Sequence, residues 1–218
     1  SFMPKDYSVQ VREVKCRVKT EDEMRMLYRT WDRLMVRTDA HAVHVMLAGS
    51  SVAENIGPSH LSCLVAGLKR WLFEEPEARR KCTPEMAAAL VKEHYPDVFL
   101  HVFKLLAQHW MTTFARRAAV VGGMFATFNT APNKSREFWN AVITGLELPT
   151  RDDPRWRLRD FLQTTLTSSV RSRGGKGRAG ATAEDMYRIV LLCWNKWRLG
   201  EPMHAAPRVP KERPKLHK

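Results

Sequence analysis

Histidine and cysteine are the first side chains here whose types and spacing could do chemistry. His41 and His44 stand three apart just after Asp39, a spacing that lets two imidazoles meet one metal from a helical face. A structural zinc site needs four ligands, and the further candidates, His60 and Cys63 with Cys82 and His94 beyond, include no C-x-x-C pair. These residues therefore read as ordinary, partly buried histidines and cysteines, and neither a metal nor a cofactor is expected. His94, His101 and His109 are candidates for acid–base work, but only Glu93 offers a local carboxylate, so they read as helix-surface or core-edge side chains.

Gly174-Gly175-Lys176-Gly177 suggests a phosphate loop, yet that motif needs Ser or Thr after the lysine and a strand before the loop. Here Gly177 follows Lys176 and a helix precedes it, which excludes nucleotide hydrolysis by that route. Gly49-Ser50-Ser51 lacks the G-x-S-x-G pattern of a nucleophile elbow. Asp152 and Asp153 are better placed to cap a helix than to form an acid–base pair. No catalytic motif is complete, and a protein without enzymatic activity is expected.

Charge is the stronger signal. The 218 residues carry 36 Lys and Arg against 23 Asp and Glu, a net of +13. Residues 151–218 hold sixteen of those cations and seven of the acids, so +9 lies in the last third. Arg155, Arg157 and Arg159 are interleaved on one helix, and Arg171, Arg173, Lys176 and Arg178 stand among glycines and serines with no acid between them. Arg208, Lys211, Arg213 and Lys215 follow in the C-terminal stretch. Such clustering is the electrostatic footprint of a phosphate-backbone binder, because each neutralised phosphate releases condensed counterions.

These eleven cations are the sequence-derived contacts of a DNA- or RNA-binding protein, a component or regulator of a nucleoprotein complex in the cytoplasm, or in the nucleus of a eukaryote. Two rivals stand beside that reading: a helical adaptor subunit that uses its basic face on an acidic protein, and an enzyme with a composite site. Of the seven tryptophans, Trp31, Trp110, Trp139 and Trp197 fall on apolar faces, whereas Trp71, Trp156 and Trp194 are the candidates for exposure.

The scaffold reads as mainly α. Ser1 and Phe2 before Met3 are expected to be a cloning scar, with 1–6 a flexible N-terminus. A helical domain is expected over 7–200, with a candidate subdivision near 129–134, and a Pro-rich, basic, disordered tail over 201–218. Tyr7 to Val18 is the one strand-like piece, a short strand or hairpin. Thr20 opens a helix through a T-x-x-E box with Glu23, whose apolar face runs from Met24 to Met35. Further helix starts are written at Ser59, at Thr83-Pro84-Glu85, at Ser135, at Asp153-Pro154 and at Thr182 with Asp185.

From Asp97 an apolar periodicity runs to about Ala126, a central core helix with a break expected at Gly122-Gly123. Interruptions by Lys104, His109, Arg116 and Arg117 keep this stretch short of the roughly eighteen apolar residues that a membrane span needs. Four scattered cysteines without framework spacing fit a reducing compartment.

Overall fold

Proline sets the rhythm of this fold, because its fixed φ suits the first helical turn and its missing N–H is one the helix would leave unpaired anyway. The computed structural model describes residues 17, 19–24, 39–48, 50, 52, 56, 58–171 and 181–217, and among these the regular structure is helical, with no strand. The chain divides into two units, 1–36 and 37–218.

In the first unit Thr20 caps its helical turn, with Glu23 reaching one residue further back than a capping box requires. Glu23 donates its backbone N–H to Thr20 Oγ1 at 3.1 Å, and the Lys19 N–H reaches back to Glu23 Oε2 at 2.7 Å. A helical turn over 21–24 follows. The expected strand over 7–18 and the apolar face beyond Met24 lie outside the described residues, apart from Arg17, which has no regular structure.

The second unit runs through α1 (Asp39–Leu47), α2 (Pro58–Leu72), α3 (Pro76–Lys81), α4 (Pro84–Ala89), α5 (Pro96–Gln108), α6 (Ala118–Thr130), α7 (Pro132–Thr144), α8 (Pro154–Arg171) and α9 (Ala183–Arg198). A π-turn at Leu90–His94 joins α4 to α5, and a 3-10 turn at Thr113–Arg116 precedes α6. The Thr83 side chain caps α4, and at α9 Thr182 and Asp185 form a complete capping box. At α8 Asp153 accepts the Arg155 N–H at 2.8 Å, as the Asp-Asp-Pro sequence implies. Helix α7 departs from the expectation: it starts at Pro132, and Ser135 is buried. Its hydroxyl meets Thr127 Oγ1 at 2.7 Å, and Thr127 also accepts Trp139 Nε1–H at 2.9 Å, which fastens α6 to α7.

Helix α6 is the axis of the unit. Residues 119–128 are all buried, and α2, α5, α7 and α9 pack around it. The expected long helix from Asp97 is broken at 109–117, between α5 and α6, and not at the glycine pair. Gly122 and Gly123 sit inside α6 because neighbouring helices approach too closely for a side chain. A Cβ on Gly123 would lie 2.3 Å from Val190 Cγ1 of α9, and one on Gly67 of α2 would lie 2.4 Å from Val121 Cγ1.

The last stretch corrects a second expectation. Residues 201–217 have no regular secondary structure, but they lie along the body as a strap. Met203 is buried and donates its N–H to the Asp152 carbonyl at 2.7 Å, while Leu216 packs against the core. An extended, proline-rich chain cannot satisfy its own carbonyls, so the body supplies donors: Arg157 to Met203, Arg188 to Lys211 at 2.7 Å and Asn195 to Lys215 at 2.7 Å. No helix among the described residues is long and apolar enough to cross a membrane.

Candidate phosphate-binding groove

The arginines on α8 turn inward more than their spacing suggested. Arg155 is only 8% exposed, chelates Asp153 at 2.7 Å and lies over Trp197. Arg157 bonds Asp152 and the carbonyls of Met203 and His204. Arg159 closes the C-terminal end of α7 by donating to the Val142 and Ile143 carbonyls, beside the left-handed Gly145. Arg213 is held against Glu184 at 3.2 Å and over the Tyr187 ring at 4.7 Å. These four guanidiniums therefore hold the fold. The structure leaves Arg208, Lys211 and Lys215 exposed on the strap. Arg173, Lys176 and Arg178, with the Arg171 side chain, lie outside the described residues.

The structure gathers a different set of cations. Three basic doublets, Lys69-Arg70 at the end of α2, Arg79-Arg80 in α3 and Arg116-Arg117 before α6, line two adjoining cavities. The first, about 590 Å³, is bounded by Asp39, Lys69, Arg70, Arg79 and Arg80. The second, about 490 Å³, is bounded by Ser62, Cys63, Trp110, Thr113, Arg116 and Arg117. Ala66 and Ala118 belong to the walls of both, so the two make one groove.

Among the described residues six cations face this groove with one carboxylate, Asp39, which Lys69 already pairs at 2.8 Å. Behind it Glu184 accepts from Arg70 at 2.9 Å and from Arg79 at 3.3 Å, which fixes both guanidiniums from the protein side. Arg79 is also anchored by the Phe73 and Glu74 carbonyls. Burial, reinforced by Arg70, pushes the Arg79 guanidinium below its ordinary value, and burial does the same to Arg117. Crowded, partly dried cations of this kind gain from an anion that replaces lost hydration.

In the second cavity the Arg116 guanidinium lies over Trp110 at 5.0 Å from the ring centroid, and the His60 ring lies 4.1 Å from the same indole, tilted by 46°. The Cys63 thiol donates to the His60 carbonyl, and burial pushes its ionisation up, which favours the neutral thiol over a nucleophilic thiolate. His41 is exposed and His44 half-buried on α1, and the described residues hold no group of three or more His, Cys, Asp or Glu able to bind a metal. Trp139 is fully buried as its apolar face implies, Trp194, a candidate for exposure, is fully buried too, Trp71, Trp110, Trp156 and Trp197 are half-buried, and Trp31 lies outside the described residues.

The groove was missed in the sequence because its doublets are separated along the chain, and each alone reads as the basic end of a helix or the limit of an apolar run. Three runs of adjacent cations within 69–117, Lys69-Arg70, Arg79-Arg80-Lys81 and Arg116-Arg117, were the available signal. No protein-family model, curated protein or solved structure matches the chain.

Proposed function

We propose that this chain is a nucleic-acid-binding protein without catalysis of its own, a component of a cytoplasmic or nuclear nucleoprotein complex that grips phosphates in the basic groove. The observation that carries the reading is the convergence of Lys69, Arg70, Arg79, Arg80, Arg116 and Arg117 on two joined cavities, with Asp39 the one carboxylate among the described lining residues. Successive phosphates of a DNA or RNA backbone match a linear array of cations, and cations held from behind lose little freedom on binding. Exposed Arg208, Lys211 and Lys215 and the cluster Arg171, Arg173, Lys176 and Arg178 extend the positive field in this proposal. The free thiols of Cys63, Cys82 and Cys193 fit a reducing compartment.

Titrating labelled oligonucleotides by fluorescence anisotropy at several salt concentrations tests it. Arg79, Arg80 and Arg116 changed together to Ala should weaken binding of every sequence and flatten the slope of log K against log salt by about 0.7–0.9 per lost phosphate contact. Unchanged affinity and slope in that variant, alongside loss in a variant lacking Arg171, Arg173, Lys176 and Arg178, would move the grip to that cluster. Salt-insensitive capture of an acidic protein, with no oligonucleotide bound, would favour the adaptor reading.

A further inference from the structure

The two cavities of the groove are built from different chemistry. The first presents, among the described residues, four cations and no aromatic ring: Lys69, Arg70, Arg79 and Arg80. The second presents Trp110, with Cys63, Ala66 and Thr113 as small neighbours and Arg116 and Arg117 at its edge. Trp110 is half-buried at the wall of a cavity, while its surroundings hold it in place: His60 packs at 4.1 Å and Arg116 lies over the ring at 5.0 Å.

A guanidinium lying over an indole brings a cationic plane and an aromatic ring together at one cavity wall, and both kinds of group stack on nucleobases. We infer that the Trp110 cavity takes an unpaired nucleobase while the Arg79-Arg80 cavity takes the adjoining phosphates, so that the substrate class is single-stranded nucleic acid. The inference rests on the phosphate-binding reading of the same groove and adds what that reading leaves open.

Geometry supplies the selectivity. Bases in a duplex are paired and stacked, and their faces are closed to a pocket on a protein surface, whereas a single strand can turn one base out while its backbone runs past Ala66 and Ala118. Those two alanines, on the walls common to both cavities, leave room for the strand to cross from one to the other. Nothing in the lining names a particular base, so a stacking preference and not a sequence preference is expected.

The test compares three labelled probes of about 20 nucleotides on the full chain: a pyrimidine single strand in deoxy and ribo forms, the same strand with its bases removed at the central positions, and a duplex. The base-bearing strand should bind about tenfold or more tighter than the abasic strand and the duplex. Trp110→Ala should bring the two single strands to equal affinity, and Trp110→Phe, which keeps an aromatic face, should restore most of the difference. Circular dichroism confirms that both variants are folded. Equal binding of base-bearing strand, abasic strand and duplex by the parent protein, at a steep salt slope, would overturn the base pocket and leave the phosphate grip standing. Failure of all three probes to bind would overturn both.

Discussion

Glu184 pairs with four guanidiniums: Arg70, Arg79 and Arg213 at 2.9–3.3 Å and Arg188 at 3.5 Å. Burial alone would raise its pKa, but the hydrogen bonds and charges of Arg70 and Arg213 prevail and hold the carboxyl below the usual glutamate value. A carboxyl depressed in the folded state stabilises the protein above its unfolded value near 4.5, and that contribution is lost as pH falls through the lower folded value. Glu184→Gln should therefore lower stability at neutral pH and remove part of the acid dependence below pH 4.5, read by urea denaturation across a pH series.

Tyr187, beneath Arg213, is pushed up to about 12 by burial. The sign is opposite in pH: the stability associated with its neutral form is present below 10 and declines between 10 and 12. Ultraviolet titration should show one tyrosine ionising late, and its disappearance in Tyr187→Phe identifies it. At this scale the sequence was half legible. Caps at Thr20, Thr83, Asp153 and Thr182 depend on neighbours within a few residues and could be read directly. The fates of Arg155, Arg157 and Arg159 depend on Asp153, the strap and the end of α7, none of which spacing on α8 reveals.

At the scale of elements, the glycine pair carries the clearest lesson. Propensity treats Gly122-Gly123 as a weak point, because glycine loses more freedom in a helix than alanine does. The structure makes the pair a contact surface, since Val190 and Arg70 occupy the space where side chains would stand. Gly123→Ala should destabilise by about 1–3 kcal/mol in spite of its better helix propensity, because α9 or its valine must move. Val190→Ala in the same background should recover part of the loss in a thermal-denaturation double-mutant cycle. The break at 109–117 was equally hidden: His109, Trp110 and Met111 continue the chain without a strong breaker, and what turns it is the packing of Phe114 and Ala115 into the core.

For the second unit, 37–218, charge was legible as an excess but not as a surface. Most of it counts to the last third, where Arg155, Arg157, Arg159 and Arg213 fasten helices and strap, while the groove is assembled from earlier doublets. The strap itself follows from long-range donors that local composition does not show. Truncation after Pro207 removes Arg213, Leu216 and the carbonyls held by Arg188 and Asn195. It should lower the melting temperature by several degrees, at about 2–4 °C per kcal/mol for a unit of this size. A melting temperature unchanged by truncation would mean that the strap adds nothing to the stability of the body.

The carboxylate of Glu184 is common property of the strap and the groove. Arg213 reaches it from one and Arg70 and Arg79 from the other, so the two ends of that network are thermodynamically linked. An anion that drew Arg70 or Arg79 outward would loosen their hold on Glu184 and leave it freer for Arg213. Reciprocity then requires that whatever strengthens the strap's grip favours the anion by the same factor. Hydrogen exchange at the amides of 211–217 would thus report on occupancy of cavities those residues do not line.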